Sequence, residues 1–222
     1  MPSSPRIAFF GGSFDPPHLG HLAVARAARE ALCLDHVLFA PVGSQPLKPQ
    51  GATAPFADRL AMTRLAIACD PEFEVSLLDA PHADGAPNYT LDTMHELREH
   101  LPGAELFLLL GADSFALLKN WHGAAEIPFA ASVVVASRPG QEIGNLEAFL
   151  PEGLALTDAA TSTELHTYTL TNGAGKTAAF YLLPGLDVPI SASQIRALTR
   201  AGAPSPLPEA VGEYIRSRGL YQ

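Results

Sequence analysis

Residues 7–21, IAFFGGSFDPPHLGH, constrain this chain more tightly than any other stretch. Residues 7–10 are a short unbroken apolar run, the pattern of a strand covered on both faces. Gly11 and Gly12 follow at once, with the freedom of a tight turn and no Cβ to keep a phosphate from the main chain. Pro16 and Pro17 restrict the loop, and from Leu19 onward Leu22, Ala25, Ala28 and Leu32 repeat at helical spacing. His18 and His21 therefore stand three apart on one face of a helix start, where unpaired N–H groups and the positive end of the helix dipole attract anions. A metal-binding pair is the competing reading, but no carboxylate or cysteine sits at helical spacing from the two to complete a ligand set.

The elements that follow alternate. Residues 36–40 form a second apolar strand, and a Pro- and Gly-rich loop over 41–55 has the length of a functional loop. Next come an alanine-rich helix over 56–69 with Leu60, Leu65 and Ile67 as apolar contacts, and a strand over 73–77. Leu91, Met94, Arg98 and Leu101 mark another helix, capped by Thr90 or Asn88. The most hydrophobic strand, 105–110, runs into Gly111, so Asp113 lies at the carboxyl edge of the sheet, where open α/β folds bind ligands. There it contacts a ribose hydroxyl, helps place a metal, or caps a helix.

A fifth strand covers 132–136, and residues 141–165 say little. Within 167–183, NGAGKT looks like the end of a P-loop, but Leu170 stands where that pattern requires glycine and no amphipathic helix opens after Thr177. The flanking β-prone residues instead read as a hairpin, or as two extended segments joined by a loop. Ser191 and Ser193 precede a helix running through Leu198; either suits its cap, and Arg196 shares the side of Ser193. Residues 204–222 add a packing helix through Val211, Tyr214 and Ile215, ending at Gly219. The alternation predicts an α/β fold: a doubly wound parallel sheet with helices on both faces. A single domain spans 1–222, with a small C-terminal helical piece from about 190.

A net charge of −9 with only three lysines argues against a nucleic-acid or membrane surface. The few cations that such a chain turns on phosphates must be concentrated locally, which singles out Lys48, Arg138 and Arg196. No apolar run is long enough for a bilayer and the N-terminal one is too short for a signal peptide, so a cytoplasmic protein is expected. Cys33 and Cys69 lie in predicted helices among alanines and leucines and read as buried thiols.

GGSFDPPHLGH resembles the first signature of the HxGH nucleotidylyltransferases, and ISASQIR at 190–196 resembles their second, about 170 residues on and in the right order. The wording is most similar to the nicotinate mononucleotide adenylyltransferases of that superfamily. Other segments carry the likeness across nearly the whole chain. PVGSQPLKP at 41–49 resembles a P-x-H-K element, with Leu47 where the family usually has histidine. Arg59 and Met62 match R-x-x-M, although Met62 suits the core and Arg59 equally suits an exposed charge. Tyr89 to Thr93 match Y-T-[IL]-D-T, and Arg138, Pro139 and Gly140 match R-P-G.

The resemblance implies a Rossmann-like fold and transfer of the adenylyl group of ATP to nicotinate mononucleotide, giving nicotinate adenine dinucleotide and pyrophosphate. It implies catalytic roles for His18, His21 and Arg196. ATP and its phosphates fall to Gly11, Gly12, Ser13, Phe14, Lys48, Gly111, Asp113, Arg138, Ile190, Ser191 and Ser193. The main chain at Tyr89 and Thr90 holds the nicotinate carboxylate, and Trp121 stacks on its ring with His122 beside it. Backbone donors at a helix start suit that anion better than a neutral amide. Mg²⁺ is expected to arrive mainly on the nucleotide, with no metal site of the protein's own, because no dense carboxylate cluster exists. Nucleic-acid and membrane partners are not expected; a homo-oligomer is left open. Two rivals remain: another HxGH enzyme, such as a phosphopantetheine adenylyltransferase, and a catalytically inactive nucleotide-binding domain.

Overall fold

The computed structural model describes residues 4–47, 50–137, 146–162, 165–184 and 191–222. In chain order the elements are β1 (Arg6–Gly12), α1 (Leu19–Leu32), β2 (His36–Pro41), α2 (Phe56–Ile67), β3 (Phe73–Val75), α3 (Thr90–His100), β4 (Glu105–Gly111) and α4 (Ala112–Phe115). After these come α5 (Ile127–Ala130), β5 (Ser132–Ala136), β6 (Leu154–Thr161), β7 (His166–Asn172), β8 (Thr177–Leu183), α6 (Ala192–Arg200) and α7 (Glu209–Arg218).

The strands join in the order β3-β2-β1-β4-β5-β8-β7-β6. Pairing is parallel from β3 through β8 and antiparallel for the last two. Strand order reverses between β1 and β4, and the crevice outside the carboxyl ends of these two is where such a sheet binds ligands. Register sets Gly11 beside Ala40 and Gly111 beside Ala136, so β1, β2, β4 and β5 finish at one edge.

Strand residues alternate between two cores because successive side chains point to opposite faces. Phe9, Leu108 and Val133 pack with Leu91, Met94 and Ile127 from the α3 and α5 side. Phe10, Phe107 and Val134 pack with Leu22, Ala28, Met62, Val211 and Ile215 from α1, α2 and α7. Each large apolar side chain buried there contributes roughly 1.5–3 kcal/mol. The expected doubly wound arrangement, with helices on both faces, is thus observed.

Several local expectations change. The sheet is not wholly parallel, because β7 and β6 extend it as an antiparallel arm. The hairpin is β7 and β8, with Leu170 fully buried, whereas β6 arises from a stretch that gave no clear pattern. Among the described side chains of β6 only Leu154 and Leu156 pack against the core, and a bulge interrupts its pairing between Asp158 and Ala160. Cys33 and Cys69 are exposed, not buried. Cys33 is the left-handed cap after α1, and α2 ends at Ile67, so neither thiol lies on an apolar stripe. Leu65 is likewise exposed, because α2 turns Arg59, Met62, Thr63 and Ala66 inward.

Candidate active site

The carboxyl edge opens into a cleft of about 750 Å³, within the size range of small-molecule sites. Gly11, Gly12, Ser13, Phe14, His18 and His21 line it from β1 and α1. Tyr89, Thr90, Gly111, Asp113, Trp121 and His122 line it from the α3 and β4 side, and Ser191, Ser193 and Arg196 from α6. Residues separated by up to 185 positions thus share one cavity, as the sequence predicts. Lys48, Arg138 and Ile190 lie outside the described residues.

The histidines are organised by the helix start. His18, in extended conformation, caps α1, and its N–H donates to His21 Nδ1 at 3.2 Å. In neutral His21 that acceptor role leaves the proton on Nε2, making it a donor. The two imidazoles stack with centroids 3.7 Å apart, and Phe14 meets the His21 ring edge-on at 5.0 Å. Phe14 itself has φ +44°, a conformation that costs a non-glycine residue energy and is retained here by its buried ring.

Gly11 has a role beyond admitting a ligand. A Cβ there would sit 3.2 Å from the Phe9 ring and 3.5 Å from Asp79 Oδ2. Asp79 is a cleft residue that sequence reasoning missed. Its Oδ1 accepts from the Thr93 hydroxyl at 2.6 Å, and the Thr93 N–H donates to the Tyr89 carbonyl at 3.1 Å, which ties the carboxyl to the start of α3. Neither Thr90 nor Asn88 caps that helix as expected. Thr90 is its first residue, and the Asn88 side chain instead accepts from Ser44 N and donates to the Ala80 carbonyl, pinning two loops together. His122 lies against the Tyr89 ring at 4.7 Å, and Trp121 is half-buried against the core.

Burial raises the Asp79 carboxyl above its ordinary range, against the opposing effect of the Thr93 hydrogen bond. A folded-state pKa above the unfolded one contributes stability that is complete below the unfolded pKa and lost as pH rises through the folded one. Asp79→Asn removes that loss while keeping an acceptor for Thr93. Its melting temperature should exceed wild type at pH 7.5 and converge with it near pH 4 in thermal melts.

On the other side of the histidines, Asp15 is buried and holds four groups together. Its carboxylate accepts from Thr53 N at 2.6 Å, Ala54 N at 3.0 Å and the Tyr221 hydroxyl at 2.7 Å, and its Oδ2 lies 3.8 Å from Arg196. Arg196 Nη1 donates to the Asp15 carbonyl at 2.7 Å and Nη2 to Ser193 Oγ at 3.2 Å. This divides the labour of the serines: Ser191 caps α6, its Oγ accepting from Gln194 N, while Ser193 orients the arginine.

Arg59 is not an exposed charge but a buried strut. It donates to the carbonyls of Ser13, Val42 and Ala54, locking the loop after β1 to the loop after β2. Burial works against its charge, and nearby Asp15 opposes that effect. Asp15 was readable within the first motif but nothing local marked its partners, and no sequence signal linked Tyr221 to the site.

Known proteins resemble this chain in sequence and in fold. The cytidylyltransferase-like family profile matches residues 9–198. Probable nicotinate-nucleotide adenylyltransferases of Geobacter metallireducens and Gloeobacter violaceus are 36% and 37% identical to this chain. The matches span 97% of the chain in both cases and 98% and 96% of those proteins. Among solved structures, Plasmodium falciparum nicotinic acid mononucleotide adenylyltransferase complexed with NaAD is similar with a TM-score of 0.69 at 15% identity, covering 98% of this chain and 97% of that one. A putative nicotinate-nucleotide adenylyltransferase of Vibrio parahaemolyticus gives 0.61 at 18% identity, covering 96% and 99%. At those identities the structural likeness speaks for the fold.

Proposed function

This chain belongs to the cytidylyltransferase-like family and, within it, to the nicotinate-nucleotide adenylyltransferases, and from that membership we propose how its cleft works. The reaction is adenylyl transfer from ATP to nicotinate mononucleotide in NAD biosynthesis. A phosphate oxygen of the mononucleotide bonds to the α-phosphorus of ATP, the bond from that phosphorus to the bridging oxygen of the β-phosphate breaks, and pyrophosphate leaves. The dinucleotide carries the new phosphoanhydride.

The observation that carries this reading is the meeting of two anion-suited helix starts in one cleft, those of α1 and α3, with Arg196 reaching in from α6. His18 and His21 donate to the triphosphate where charge builds up in transfer, and Arg196 with Ser193 takes the leaving phosphates. The main chain of Gly11, Gly12, Ser13 and Phe14 lies along the nucleotide, and Ser191 keeps the α6 start in place. Gly111 and Asp113 face the ribose, on which a carboxylate accepts hydroxyl hydrogen bonds. Tyr89 and Thr90 present backbone donors to the nicotinate carboxylate, with Trp121 and His122 supplying the aromatic wall for its ring. Lys48, Arg138 and Ile190 are assigned to the phosphates on motif resemblance.

Positioning carries most of the acceleration, since this transfer needs no covalent intermediate. Among the described residues no three His, Cys, Asp or Glu side chains gather as a metal site. Mg²⁺ held by the nucleotide's own phosphates would neutralise their charge. Also among the described residues, no helix is long and apolar enough to cross a membrane; the reading keeps the cytoplasm as its place of work.

Pyrophosphate release from ATP and Mg²⁺, measured with nicotinate and nicotinamide mononucleotides in parallel, tests the assignment. Release should be fast with the nicotinate substrate and at least tenfold slower with the amide, the factor about 1.4 kcal/mol of anion binding supplies. Release with neither overturns the assignment and returns the chain to the other transferases or to a nucleotide-binding role.

A further inference from the structure

Tyr221 closes a circuit that begins at the site and ends 206 residues away in sequence. Its ring is buried with Val211 and Ile215 against the α1 side of the sheet, and its hydroxyl donates to Asp15 Oδ1 at 2.7 Å. The Asp15 carboxylate is thereby held by three donors, with Arg196 at the longer distance of 3.8 Å from Oδ2. The same arginine makes its short contact, 2.7 Å, with the carbonyl of Asp15. Burial and the hydrogen bond to Asp15 both raise the tyrosine pKa, so the hydroxyl remains a donor at neutral pH.

We propose that Tyr221 is a positioning residue for adenylyl transfer: by sharing Oδ1 of Asp15 with Ala54 N it weakens the carboxylate's pull on Arg196, so that the ion pair stays at its long 3.8 Å distance and the guanidinium remains at the cleft for phosphate. This rests on the functional reading above. Removing the hydroxyl leaves a buried carboxylate with one donor fewer, and Arg196, the cation already 3.8 Å away, is the charged group placed to close on it. Arg59, the other cation of this cluster, is committed to three carbonyls and does not move to compensate. A guanidinium drawn into a carboxylate pair offers less charge to a triphosphate.

The test is a double-mutant cycle with Tyr221→Phe, Arg196→Ala and the combination, measuring kcat and KM for each substrate alongside thermal melts. Tyr221→Phe keeps the buried ring, and any stability change cancels around the cycle. In the wild-type background it should lower kcat/KM for ATP by about five- to twentyfold, with the KM for nicotinate mononucleotide within about twofold of wild type. In the Arg196→Ala background it should change kcat/KM by less than about twofold. Equal losses in both backgrounds, a rise of more than about twofold in the KM for nicotinate mononucleotide, or no loss at all would overturn the proposal.

Should the wild-type protein not turn over, the functional reading fails by itself. The same cycle is then read as Mg-ATP affinity by calorimetry, where additivity of the two substitutions again rejects the tyrosine's role.

Discussion

His21→Ala is expected to lower kcat by about 10²–10³-fold, the range found when one preorganised donor to a developing anion is removed. The effect on stability should be far smaller. At the helix start His21 Nδ1 accepts from His18 N and its ring stacks on that of His18, worth about 1 kcal/mol together by analogy with other caps. That corresponds to a melting shift of about 2–4 °C. His21→Asn separates the two roles, because its side-chain oxygen at the third helical position can take over acceptance from His18 N but cannot reproduce the imidazole donor at its reach. Steady-state kinetics and melts on both variants should therefore show stability partly recovered in the asparagine form and activity still low. A loss below tenfold in the alanine form would remove His21 from the chemistry.

The largest effect on folding is expected at Arg59. Replacing it with alanine leaves the carbonyls of Ser13, Val42 and Ala54 without their shared donor and takes a neighbouring positive charge from buried Asp15. Breaking a buried charged network of this kind costs about 3–5 kcal/mol, which denaturant titration would register as a lower midpoint. Arg59→Lys should recover little, since one ammonium on a flexible stem cannot span three carbonyls that a planar fork reaches at once. Activity should fall with stability, because the first motif's loop is one of the two segments the strut joins. A variant within about 1 kcal/mol of wild type would show that water replaces the guanidinium at no great cost.

The tyrosine, the strut and the histidines differ in how far a reader of the sequence could have seen them. His18, His21 and Ser191 answer to residues within a turn of themselves, so strand, glycine turn and helix start were legible together. The unbroken apolar runs of β1, β4 and β5 likewise announced a sheet covered on both faces. Local pattern served less well where its partner lay elsewhere. Asn88 is a sound helix cap by composition, yet Ser44 and Ala80 compete for its side chain and win. Leu65 has the right chemistry for a core, but α2 rotates to bury Arg59 and Thr63.

By itself, then, the sequence determined the alternation of elements, the two motifs and the kinds of group brought to bear on phosphate, because periodicity and helix-start chemistry act over a few residues. Only the tertiary structure decided that Asp15 would join Thr53, Arg196 and Tyr221, and that Arg59 would face inward. Those choices depend on which buried polar groups find partners once the sheet has closed over them, and the donors and acceptors concerned lie as far as 206 positions apart along the chain.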